Sequence, residues 1–148
     1  MAVNPDFLGR TYPPSGPYAV DAELIAAFAA AVGSDDPVHT DPEAARAAGY
    51  ADVIAPPTMA VRFAQESDRA YIADPEAGID YSRVVHGEQR FVHHRPITAG
   101  DQIMGTLTVD AIRAAGGHSM VTTRTELATT GGEALATCTS TIVVRGGE

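Results

Sequence analysis

Apolar and polar residues repeat with two different periods along this chain, and the change falls near residue 81. Before it, Leu24, Ile25, Phe28, Ala29 and Val32 recur at three- and four-residue steps and form one stripe, which predicts an amphipathic helix. Asp21 stands in the N-cap position and Glu23 in the first turn, near the positive end of the helix dipole. Gly33 follows the last apolar position, as a helix-ending glycine does. A short helix is predicted over residues 41–48, capped by Asp41, opened by Pro42 and closed by Gly49. A third helix, of three to four turns, is predicted over residues 58–71. There Met59, Phe63, Ala64, Ala70 and Tyr71 are interleaved with Arg62, Gln65, Glu66, Asp68 and Arg69, leaving one side apolar enough to lie on a sheet. Ahead of these helices, Pro5, Pro13, Pro14 and Pro17 exclude helix and leave room for one short strand near residues 17–20.

From residue 81 onward the period is two. Alternating runs cover residues 83–94, 102–112, 119–128 and 134–145, separated by segments containing Arg95-Pro96 and Gly100-Asp101, then Gly116-Gly117, then Gly131-Gly132. Long strands joined in this way predict an antiparallel meander. Helices first and strands afterwards predict an α+β layer architecture. A long helix laid across a curved antiparallel sheet is the hotdog arrangement; ferredoxin-like and cystatin-like layouts share the same pattern. An uncovered sheet edge in such a fold is normally closed by dimerisation.

The length of 148 residues predicts one domain over residues 1–148, and 45% hydrophobic with 20% charged residues is too apolar for disorder. No apolar run is long enough to span a bilayer, and the first ten residues lack the basic start and apolar block of a signal peptide, so a cytoplasmic location is expected. All ten basic residues are arginine. Without lysine, chemistry through a lysine Schiff base is excluded. A net charge of −9 argues against a nucleic-acid partner. It leaves room for a phosphorylated carrier, which needs only a few local arginines. The one cysteine, Cys138, lies in an alternating run and is expected to be a small buried apolar residue.

Candidate chemistry concentrates in two places. The loop over residues 34–40 carries Asp35, Asp36 and His39, with Asp41 just beyond. A histidine there is expected outside the core, oriented by a neighbouring carboxylate and free to transfer a proton. The same aspartates also suit local capping roles, so both readings stand. The second place is His86-Gly87-Glu88-Gln89. On a regular strand His86 and Glu88 share a face, and Gly87 lets another backbone approach; a solvent-facing pair with a bulge glycine is the other reading of the same run. Arg90 and Arg95 suit phosphate contacts or simple solvation. His93 and His94 face opposite ways on a strand and predict no metal site. There is no glycine-rich phosphate loop and no nucleophile elbow.

Over residues 33–58 the chain resembles the MaoC-like dehydratases and (R)-specific enoyl-CoA hydratases. Their signature, G-D-x-N-P-x-H-x-D followed by an alanine-rich helix and I-x-H-G, is met here by Gly33, Pro37, Val38, His39, Asp41, Ala44, Ala45, Gly49, Tyr50 and Ile54. The later V-V-H-G-E-Q-R-F and H-R-P-I-T-A-G-D resemble the N-terminal half of the double-hotdog members. The resemblance implies a hotdog fold and reversible hydration of a 2-enoyl thioester carried on CoA or acyl carrier protein, with no further cofactor and no metal. It also implies an Asp–His pair sharing the water and a backbone N–H at the central helix start polarising the carbonyl. Carried over residue by residue, His39 matches the histidine, Ser34 occupies the aspartate's position, Asp36 the asparagine's, and Pro57 the glycine whose N–H is needed. Thr58, His86, Gly87, Glu88 and Arg90 are the accompanying substrate-binding candidates. Four readings follow. The first is an accessory subunit housing the acyl chain beside a catalytic hotdog partner. The second is a self-sufficient homodimeric hydratase using His39 with Asp35 or Asp36. The others are a non-catalytic acyl-CoA-binding module and a thioesterase with Glu88 as general base.

Overall fold

The computed structural model describes residues 2–147. A proline-rich lead-in reaches strand β1 (Ser15–Ala19), followed by helix α1 (Ala22–Ala31), helix α2 (Pro42–Ala47) and the central helix α3 (Ala60–Ile72). Strands β2 (Val84–His93), β3 (Gln102–Ala115), β4 (His118–Thr129) and β5 (Ala134–Val144) complete the chain. The predicted caps are in place. The Asp21 carboxylate accepts from Leu24 N–H at 2.7 Å, and Gly33 ends α1 at φ +72°, a conformation costly for a residue with a Cβ. Asp41 caps α2 through Glu43 N–H at 2.9 Å.

The five strands form one antiparallel sheet in the order β1-β3-β4-β5-β2. Only β3, β4 and β5 are a meander. The expectation of a continuous meander through residue 83 fails at the first connection, because β2 pairs with β5 and not with β3. From the end of β2 to the start of β3 the chain must pass β5 and β4, about 14 Å at the usual strand spacing. The eight residues 94–101 reach that far when extended. Arg95 anchors this crossing, donating to the Asp101 carboxylate at 2.8 and 2.9 Å and to Glu133. Bulges interrupt the ladders at β2–β5, β3–β4 and β4–β5, and each adds local twist, curving the sheet around α3.

α3 buries Ala60, Phe63, Ala64, Ser67 and Tyr71 against the concave face. Under its first half lie Ile25, Met59, Ile103, Leu127, Leu135 and Cys138; under its second half Tyr71 packs with Phe7, Leu107, Val109 and Val121. The helix comes close to β3 at Gly105, where an added Cβ would stand 2.0 Å from Ser67 Oγ. This is the hotdog layout, one of those the two periods allowed and the one the family resemblance implied. Among the described residues no helix is long and apolar enough to cross a membrane.

Candidate functional site

The loop after α1 is shaped by its own polar residues. Asp36 accepts from Val38 N–H at 3.0 Å and, with Pro37, starts a single 3-10 turn over Pro37–His39. That turn drives the His39 ring inward. His39 is 6% exposed, so the expectation of a histidine outside the core is corrected: a local turn, with Ile54 N–H donating to Val38 O at 3.1 Å, folds it beneath the next segment. The orienting group is also different from the one expected. His39 Nδ1 lies 2.7 Å from the Ile54 carbonyl oxygen. A carbonyl can only accept, so Nδ1 carries the proton and Nε2 of the neutral ring is left as a base. His39 lines a cavity of about 710 Å³ together with Asp36, Tyr50, Pro57, His93 and His94.

No carboxylate completes a pair with this ring: among the described residues, neither Asp35 nor Asp36 forms a hydrogen bond or ion pair with His39. Asp35 is exposed and does not line the cavity, while Asp36 borders it with one oxygen committed to the turn. Ser34 is half-buried and its N–H is bonded to Ala29 O at 2.8 Å. On the opposite side, the approach to α3 begins Pro56-Pro57-Thr58, with a 3-10 turn over Pro57–Met59. Two of the backbone positions at this helix start therefore have no N–H, and Thr58, exposed, is the first that can donate.

The second candidate group is divided by the fold. β2 pairs His86 with Ile142 but Glu88 with Thr141, so Gly87 is a bulge residue. The extra residue reverses the alternation beyond it. His86 faces the concave side, where Nε2 sits 3.0 Å from Glu88 O and 3.5 Å from Ser140 Oγ. Glu88 turns to the other face, is largely exposed and pairs with Arg90 at 3.6 Å. The expectation that His86 and Glu88 share a face is thus corrected, and of the two readings of Gly87 the structure has the bulge. Gly87 does permit a close approach: a Cβ there would stand 3.3 Å from Thr141 O. Arg95 is held by Asp101 and Glu133, which favours the charged guanidinium and occupies it within the chain.

Sequence reasoning passed over three residues that line a second cavity of about 1010 Å³ between α3 and strands β2 and β5: Arg62, Asp68 and Ser140. Asp68 was the legible one, since it stands four residues after buried Ala64 and three before buried Tyr71, next to the apolar stripe.

Comparison with known proteins bears on this geometry. The model for "FAS1-like, dehydratase domain region" matches residues 6–138. A UPF0336 protein of Saccharopolyspora erythraea is 50% identical over 146 residues, covering 99% of this chain and 94% of its own. Among solved structures, a chain of the C-terminally truncated HadBC (3R-hydroxyacyl-ACP dehydratase) complex from Mycobacterium tuberculosis superposes with a TM-score of 0.83 at 28% identity, over 93% of this chain and 97% of that one. A MaoC-like dehydratase gives 0.84 at 28% identity, over 95% of this chain but 42% of the larger protein. A hotdog layout, a buried histidine poised as a base and these similarities agree, and the chain belongs to the FAS1-like dehydratase-region family of MaoC-like hotdog proteins.

Proposed function

We propose that this chain is the accessory, acyl-binding subunit of a heteromeric dehydratase acting on (R)-3-hydroxyacyl thioesters of CoA or acyl carrier protein. The observation that carries the reading is His39: oriented by a backbone carbonyl, open to a cavity, and with no acid hydrogen-bonded to it among the described residues. Hydration of an enoyl thioester requires a group to take a proton from water, a group to deliver one to the α-carbon, and a donor for the enolate oxygen that forms between. This chain offers one base. Ser34 stands where an acid is needed, and Pro57 stands where an N–H is needed. A hotdog partner with an intact Asp–His pair and an N–H at its own central helix would supply both, leaving this chain to hold the acyl group. The HadBC dehydratase, to which this chain is similar, is named as a complex, and the MaoC-like dehydratase is a protein more than twice as long, which supports a two-component arrangement.

The test is hydration of crotonyl-CoA by the purified chain, alone and mixed with a hotdog subunit that carries an intact Asp–His pair. Loss of one oxyanion donor costs about 10²–10³ in rate and loss of an acid/base partner roughly 10²–10⁴. The chain alone is therefore expected to run at least about 10²-fold below the mixture. Comparable activity from the chain alone, abolished by His39→Ala, would overturn the accessory reading in favour of a self-sufficient homodimer.

A further inference from the structure

The H-R-P-I-T-A-G-D run does more than carry the chain from β2 to β3. Arg95 and Asp101, near its two ends, are joined: the guanidinium donates to both carboxylate oxygens at 2.8 and 2.9 Å. Side-chain exposures of 28% and 12% keep most of that contact away from water. Asp101 Oδ2 also accepts from Thr98 N–H at 2.8 Å, and Asp101 N–H donates to Thr98 O at 3.1 Å. The charged pair thus closes residues 95–101 into a loop and holds Thr98 in place.

This loop lies against the segment that orients His39. Ile54 and Thr98 form an isolated antiparallel bridge, flanked by Ala55 N–H to Ile97 O at 2.7 Å and Ala99 N–H to Val53 O at 3.0 Å. In a bridge of this kind the bonds belong to the flanking residues, so the central pair point their own N–H and C=O outward. Thr98 accordingly turns its N–H to Asp101. Ile54 turns both groups the other way: its N–H donates to Val38 O at 3.1 Å, and its C=O accepts from His39 Nδ1 at 2.7 Å. Hydrogen bonds and one backbone bridge therefore connect the Arg95 guanidinium to the imidazole.

We infer that Asp101, held by Arg95, is a positioning residue for His39. By fixing Thr98 it fixes the Ile54 carbonyl, which keeps the ring proton on Nδ1 and leaves Nε2 as the base. A ring whose acceptor shifts away is free to carry its proton on either nitrogen. The loop has other holds, the buried Ile97 side chain and backbone bonds between Val20 and residues 100–101, so removing the carboxylate loosens the loop without unfolding the protein. The inference rests on His39 as a base and is independent of which subunit supplies the acid.

The experiment is nitrogen-15 NMR of the full chain, reading which ring nitrogen of His39 bears hydrogen at about pH 8.5, above the ordinary imidazole range. His39→Gln identifies its signals among those of the five histidines. Wild type should show the Nδ1–H form in at least about tenfold excess, the worth of one hydrogen bond. Asp101→Ala should bring the two forms toward equal populations in a protein that urea unfolding shows to be folded. Asp101→Asn, which keeps one oxygen for Thr98 N–H, should restore most of the excess. Glu133→Gln is the control for general loosening, because the Glu133 side chain meets the same guanidinium yet bonds nothing in residues 96–99 among the described residues. It should leave the ratio at the wild-type value. If Asp101→Ala does not fold, Arg95→Met takes its place, since the carboxylate then loses two of its three donors. An unchanged ratio in the folded variant, or an equal change in Glu133→Gln, would overturn this inference and leave the accessory reading standing. A wild-type ring protonated on Nε2 would overturn both the inference and His39 as an oriented base.

Discussion

His39 and Asp68 illustrate how burial gives two titratable groups different behaviour. His39 is buried on its Nδ1 side and satisfied there: its Nδ1 proton goes to the Ile54 carbonyl, so the ring is fixed in one tautomer. Asp68 has no such partner, and its folded-state pKa of about 7 lies above the ordinary 3.8. Between those two values the native state holds a proton that the unfolded chain releases, so stability falls as pH rises from about 4 to about 7 and levels off beyond. Arg62, Glu66 and Arg69 on its own helix and His86 across the cavity are present in wild type and variant alike. Asp68→Asn should therefore match wild type most closely near pH 4 and gain on it steadily up to about pH 7. Urea unfolding at a series of pH values reads this, and a difference independent of pH would sink it. Cys138 is 1% exposed, and desolvation pushes its thiol up to about 12. It should ignore an aromatic disulfide reagent in the native protein and react fully once unfolded; rapid native labelling would contradict that. The apolar reading of Cys138 was available from its alternating neighbours, whereas the inward turn of His39 depends on a bond from its ring to the backbone carbonyl of a residue 15 positions away.

At the scale of elements, the seat of α3 on the sheet depends on a missing side chain. Gly105 lets Ser67 settle against β3, where Ser67 Oγ also meets Ser15 Oγ at 2.9 Å. A methyl at residue 105 must displace that hydroxyl and press on Ser67 Cβ, 3.3 Å away, and Leu127 Cδ2, 3.4 Å away. Gly105→Ala should cost about 1–3 kcal/mol. Combining it with Ser67→Ala should recover part of the loss, because the first clash is with the oxygen. Additive losses in denaturant unfolding would show that Gly105 acts elsewhere. The helix itself was readable from its stripe, and the strands from their alternation. The β2 bulge was not, since Gly87 has a shape suited equally to a regular strand or to a bulge. Only pairing with Thr141 decides between them, and with them the face on which Glu88 stands.

For the whole molecule, the notable feature is the far edge of the sheet. β1 ends one side as a short strand with Pro17 and an irregular register, a form that resists further pairing. β2 ends the other side with ten residues, no proline, and Val85 and Val92 at 44% and 52% exposure. A strand of that length with one unpaired side is a template for another strand. The protein is accordingly expected to sediment well above its 15.4 kDa monomer at tens of micromolar, by itself or as a one-to-one complex with a hotdog partner. A stable monomer in both conditions would argue against any shared site. The same edge borders both cavities, so a subunit seated there would stand beside His39 and Asp68 at once.

Local physics alone determined the elements of this protein: caps, helix-ending glycines, a stripe of period 3.6 and alternation of period two are properties of neighbours along the chain, and a sequence displays them directly. The departures from the family signature at Ser34 and Pro57 were equally visible, because a serine carries no carboxyl and a proline no N–H wherever the fold places them. Tertiary structure decided what depends on distant residues meeting. It put β2 beside β5, turned His39 beneath Ile54, parted His86 from Glu88, and buried one carboxyl oxygen of Asp68 with no partner among the described residues. Those outcomes are set by hydrogen bonds and packing between segments tens of residues apart, and no periodicity within either segment encodes them.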